Sequence, residues 1–132
     1  MTTPLENMFA KTKRENRAAL IAYIPAGFPS LQGCKDAISV LAQAEVDAVE
    51  IGYPYSDPVM DGPTIQQAAD ISLRAGTGAK EVFSTLKFAH DSDLPAVVMT
   101  YWNPIERYGV DRFADEMARN GGSGVVTPDL TI

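Results

Sequence analysis

The stretch from Val46 to Gln66, VDAVEIGYPYSDPVMDGPTIQ, carries three carboxylates at positions that could do chemistry, Glu50, Asp57 and Asp61, around a Gly/Pro-rich loop. Glu50 and Asp61 are the candidates for chemistry. A carboxylate at a loop mouth can carry a proton to or from a reacting group, or offset positive charge that develops in a transition state. Plainer roles compete with these. Glu50 can be a buried structural carboxylate, and Asp61 a turn or helix-cap residue before Gly62. Asp57 can hold its own loop through side-chain-to-backbone bonds.

The choice depends on the elements that hold these residues. Val46–Gly52 reads as a strand, and side chains alternate across a strand. Val49 and Ile51 share one face; Ala48, Glu50 and Gly52 share the other. If Val49 and Ile51 meet helices, Glu50 points to the opposite, inner face of the sheet. A carboxylate there is costly unless paired, protonated or solvated by a pocket. Three more apolar runs read as strands, giving approximate spans of 18–24, 46–52, 95–101 and 124–128. They lack polar alternation, as strands of a parallel sheet covered by helices do.

Helices are predicted between them. Pro4–Arg14 has Leu5, Met8 and Phe9 on one face and a proline suited to its first turn. Ser30 can cap a helix that places Cys34, Ile38 and Leu41 in one stripe. Asp61-Gly62-Pro63 leads into a helix with Ile65, Ala68, Ala69 and Leu73 inward and Gly76 as its stop. Ala79–His90 turns Val82, Phe83, Leu86 and Ala89 inward and leaves His90 as a surface residue at its end. Trp102-Asn103-Pro104 reads as the start of a loop. Val110–Ala118 has Val110, Phe113 and Met117 inward. One leading helix, then strands alternating with helices, predicts an α/β fold of βα units with a parallel sheet. The candidate loops follow strand C-termini, where barrels and doubly wound sheets place their sites.

Bulk properties narrow the function. The chain has 132 residues, which favours a single domain over 1–132. Its net charge of -6 argues against nucleic acid and anionic membrane as partners. One cysteine and one histidine argue against a zinc site. Neither a signal peptide nor an apolar window of membrane-spanning length is found, so a cytoplasmic location is expected. No dinucleotide or P-loop fingerprint is present.

The string EIGYPYSDPVMDGPTIQ resembles the tryptophan synthase alpha chain family. AYIPAGFP after the first strand, VMTYWNP after the third and VVTPDL after the fourth support the resemblance, which extends over the chain from about Leu5. It implies a TIM (β/α)8 barrel, here an incomplete one of about four parallel strands plus an extra N-terminal helix. It also implies tryptophan biosynthesis, by retro-aldol cleavage of indole-3-glycerol phosphate to indole and glyceraldehyde 3-phosphate. By the same resemblance Glu50 is the acid–base group, and Asp61 accepts the indole N–H and stabilises positive charge. Tyr23, Met99, Tyr101 and Val126 match positions lining the indole pocket. Tyr53, Asp57, Pro58, Asn103 and Asp129 match the rim that faces a beta chain, although Tyr53 stands where the family usually has a smaller aliphatic residue. No metal or cofactor is expected, since PLP would belong to the beta chain.

The family chain is about twice as long. Barrel phosphate sites follow strands seven and eight, so the resemblance places them outside these 132 residues. Four strands would leave open edges and an apolar inner patch at Met99 and Val126. The expectation is a piece that is marginally stable, aggregation-prone or dimeric, with negligible lyase activity alone. The alternative is a non-catalytic half-barrel that docks a beta chain or self-associates.

Overall fold

The computed structural model describes residues 2–131. In chain order the elements are α1 (Pro4–Arg14), β1 (Ile21–Pro25), α2 (Leu31–Gln43), β2 (Ala48–Gly52), α3 (Pro63–Arg74), α4 (Ala79–Asp91), β3 (Ala96–Met99), α5 (Trp102–Tyr108), α6 (Val110–Arg119) and β4 (Val125–Val126). The four strands form one parallel sheet in the order β1-β2-β3-β4. Sequential parallel strands joined through helices are the arrangement of half a (β/α)8 barrel.

Local chemistry explains the helix ends. The Thr3 hydroxyl accepts from the Glu6 N–H while Glu6 accepts from the Thr3 N–H, so α1 opens on a reciprocal cap with Pro4 in its first turn. Ser30 caps α2 by accepting from the Gly33 N–H at 2.9 Å. Just beyond α3, Gly76 takes the left-handed conformation (φ 89°) that favours glycine after a helix end.

Register fixes the two faces of the sheet. Val49 pairs with Ala22 and Ala96, and Ile51 with Ile24 and Val98. Val49, Ile51, Ala96 and Val98 pack with Cys34, Ile38, Val82, Leu86 and Ala89 from the helices in one core, and Ile24 packs against it. The opposite face carries Tyr23, Glu50 and Val97 in one row, and Gly52, Met99 and Val126 in the next. Glu50 therefore faces inward, as alternation along β2 requires.

Several expectations are corrected. The first strand begins at Ile21, not near residue 18, and Leu20 is 64% exposed. Arg17 grips Asp47 with two hydrogen bonds of 2.8 Å, and the Leu20 N–H donates to the same carboxylate, so residues 17–20 tie the start of β1 to β2. The other strands are also shorter than expected, at 48–52, 96–99 and 125–126. Trp102-Asn103-Pro104 begins helix α5 rather than a loop, because a proline is tolerated in the first helical turn. Val110 is 49% exposed at the start of α6, leaving Phe113 and Met117 as its buried pair. On α3 it is Ser72, not Leu73, that is fully buried. Phe9 on α1 is largely exposed, and Thr12 joins Met8 on the buried side.

Candidate active site

The inner face and the loop after β2 bring the carboxylate pair together. Glu50 lies at the centre of β2 on the inner face, half-buried, with Tyr23 as its register partner on β1 and Val97 on β3. Burial pushes the Glu50 carboxyl above the ordinary glutamate range, and the nearby charge of Asp61 adds to the rise. Burial also raises the Tyr23 phenol, followed by the charges of Asp61 and Glu50. Tyr23, Glu50 and Asp61 thus share one electrostatic environment.

The loop that carries Asp61 is pinned to Tyr101, the N-cap residue of α5 just after β3. The Tyr101 hydroxyl, buried beneath the loop, accepts from the Met60 N–H at 3.0 Å. Burial raises the Tyr101 phenol; the Met60 N–H works against that rise and the Asp61 charge adds to it. Asp61 closes a turn through its N–H to the Pro58 carbonyl at 3.0 Å. It is not the helix cap, because Gly62 occupies that position and makes no side-chain cap bond. The Asp61 main-chain carbonyl is taken by Gln66 Nε2 at 2.8 Å, which fixes the loop against α3.

The remaining sequence-predicted residues separate by position. Met99 is half-buried on the inner face, in register with Gly52 and Val126. Val126 is 42% exposed on the two-residue strand β4. Tyr101 is an anchor under the Asp61 loop rather than part of an open wall. Asp57 is exposed and accepts from the Ser56 hydroxyl at 3.0 Å, so the expected side-chain-to-backbone bond is replaced by a side-chain pair. Pro58 is half-buried beside it. Asn103 is exposed and donates to the Tyr55 hydroxyl at 3.1 Å. Asp129 accepts from the Trp102 N–H at 3.0 Å. Tyr53 is half-buried and packs against the core near Tyr108.

Two residues escaped the sequence reading. The Tyr55 ring lies 5.4 Å from that of Tyr101 and links the Asp61 loop to α5 through Asn103. Its place in the YPYSDP string, between two rim candidates, was the available signal. Gly52 is the other, and strand alternation already placed it on the face of Glu50. Among the described residues no group of three or more His, Cys, Asp or Glu side chains is placed to hold a metal ion.

Sequential parallel strands, with one carboxylate on the inner face of β2 and another on its following loop, define a (β/α)8-barrel half with its candidate site between the two. The tryptophan synthase alpha chain family matches residues 9–132. An alpha chain of Thermobifida fusca is 50% identical over 128 residues, covering 97% of this chain and 47% of the relative. One from Streptomyces coelicolor is 50% identical over 129 residues, with 97% and 48% covered. A crystal structure of tryptophan synthase from M. tuberculosis, in an open form with BRD0059 bound, superposes with a TM-score of 0.94 at 43% identity, covering 98% of this chain and 52% of that one. The chain belongs to the tryptophan synthase alpha chain family. It spans about half the length of the curated relatives it matches. No helix among the described residues is long and apolar enough to cross a membrane.

Proposed function

We propose that this chain supplies the acid–base part of an active site that cleaves indole-3-glycerol phosphate to indole and glyceraldehyde 3-phosphate in tryptophan biosynthesis. The observation that carries the reading is Glu50, an inward carboxyl held above its ordinary range by burial and by Asp61. Protonated Glu50 gives its proton to the indole ring carbon that bears the glycerol chain. The positive charge that results spreads to the indole nitrogen, where Asp61 accepts the N–H and stabilises it. The Glu50 carboxylate then takes the proton of the adjacent glycerol hydroxyl as the C–C bond breaks. The bonding electrons return to the indole ring, the hydroxyl carbon becomes the aldehyde, and Glu50 is protonated again. A carboxyl that favours its proton suits a group that must begin as an acid.

Tyr23, Met99 and Val126 share the inner face with Glu50 and form the apolar wall for the indole ring, while Tyr101 supports the Asp61 loop from below. The chain itself uses no metal or cofactor, and PLP chemistry belongs to the beta chain that takes up the indole. Asp57, Asn103 and Asp129 lie on one rim with the exposed Val59 and Met60, a mixed polar and apolar surface suited to docking that subunit. Tyr53 contributes to this rim through its backbone position, its ring being turned toward the core.

Phosphate sites of such barrels follow strands seven and eight. Binding energy from that remote group orients the reacting centre. Indole release by the 132-residue chain alone is therefore expected to be negligible. It is expected to appear when the chain is joined to the second half of a relative such as the Thermobifida fusca alpha chain. A correctly folded joined protein without turnover contradicts the reading.

A further inference from the structure

Gly52 is buried on β2, two residues beyond Glu50 on the same face. Its backbone does not demand glycine, because its φ lies outside the left-handed region. What demands it is room. A Cβ at this position would collide with the Tyr23 hydroxyl, and would lie 2.7 Å from Cζ and 3.2 Å from Cε2 of the same ring. The three nearest atoms in the way all belong to Tyr23. The ring therefore leans from its own row, where it is the register partner of Glu50, toward the next row, and sets its hydroxyl in the space that Gly52 leaves empty.

We propose that Gly52 is a positioning residue for Glu50: the space above it seats the Tyr23 ring, and the seated ring shields the Glu50 carboxyl from water. The proposal rests on the reading of Glu50 as the acid–base group and adds the device that keeps its carboxyl partly dry. Tyr23 and Glu50 sit side by side on adjacent strands, so the attitude of the ring decides how much solvent reaches the carboxyl. Gly52 touches neither proton nor substrate and acts only through Tyr23. The end of a tyrosine ring can swing, so Gly52→Ala moves the ring more readily than the backbone and exposes Glu50.

The test follows the Glu50 carboxyl carbon by isotope-edited NMR across pH, its signal assigned by its loss in Glu50→Gln. The variants are Gly52→Ala, Tyr23→Ala and the pair together. Gly52→Ala is expected to lower the Glu50 midpoint toward the ordinary glutamate range, by several tenths of a pH unit or more. Tyr23→Ala alone is expected to lower it as well. Adding Gly52→Ala to Tyr23→Ala is expected to change nothing further. An unchanged midpoint in Gly52→Ala overturns the proposal, as does an equal shift with and without the Tyr23 ring. If Gly52→Ala fails to fold, recovery of the fold by the added Tyr23→Ala supports the seat, and failure to recover overturns it. The titration needs no turnover, so its result is separate from the activity of Glu50→Gln, which tests the role of Glu50 itself.

Discussion

Asp61, on the loop after β2, lies close enough to Glu50, within β2, for its charge to oppose the ionisation of Glu50. Burial is the larger cause of the rise and Asp61 the smaller. Asp61→Asn should therefore lower the Glu50 midpoint without returning it fully to the ordinary value. Carboxyl titration by NMR measures this, and a midpoint that rises or stays fixed contradicts the arrangement.

The same pair affects folding. A raised carboxyl binds its proton more tightly in the folded chain than in the unfolded one. Its contribution to stability is complete below the ordinary value near 4.5 and is lost as pH rises through the raised value. Glu50→Gln should therefore raise the melting temperature at pH 7, with a smaller gain below pH 4.5. Thermal melts of both proteins at the two pH values check it.

Asp47 behaves in the opposite way. Its hydrogen bonds to Arg17, and that from the Leu20 N–H, hold it at about 2, below the ordinary 3.8. Its stabilisation is present above 3.8 and is lost as pH falls toward 2. Asp47→Asn should destabilise the chain at pH 7, and the difference should shrink in melts below pH 3.

Much of this arrangement was legible in the sequence because it rests on short-range rules. Alternation along β2 separated Val49 and Ile51 from Glu50, and the register confirms that division. The Ser30 cap and the buried pair Cys34 and Ile38 follow from local spacing. What remained hidden depends on distant partners. Ala18–Leu20 is as apolar as a strand, yet the ladder begins at Ile21, and Leu20 meets the start of β2 by donating to the Asp47 carboxylate and accepting from the Asp47 N–H. Trp102-Asn103-Pro104 suits a loop or a first helical turn equally, and the Trp102 N–H bond to Asp129 forms only when the chain returns 27 residues later. The Tyr23 seat on Gly52 joins two strands and is invisible to either alone. The residues themselves marked Glu50 and Asp61 as candidates and the family resemblance assigned their roles, while their electrostatic coupling is a product of the fold.

Tyr101 links the start of α5 to the loop of Asp61 through the Met60 N–H. Tyr101→Phe removes that acceptor and should cost about 1 kcal/mol, the usual net worth of such a bond. Amide exchange at Met60 is the direct measurement. Exchange should quicken there and remain unchanged in α2, whereas unchanged exchange at Met60 contradicts the anchoring role.

Ile51 is fully buried between the sheet and its helices. Ile51→Ala should destabilise by about 2–5 kcal/mol through lost burial and the cavity left behind. Denaturant unfolding measures the loss, and a cost well under 1 kcal/mol would mean that the outward face of β2 is not the core.

Moving the proton in C–C cleavage is the role proposed for Glu50. Its most direct measurement is indole release from indole-3-glycerol phosphate by this chain joined to the second half of a relative, with and without Glu50→Gln. A positioned acid–base group contributes roughly 10²–10⁴-fold. The rate should therefore fall by at least about 100-fold while the fold and substrate affinity persist. A Glu50→Gln protein that retains its rate within a few-fold contradicts the account.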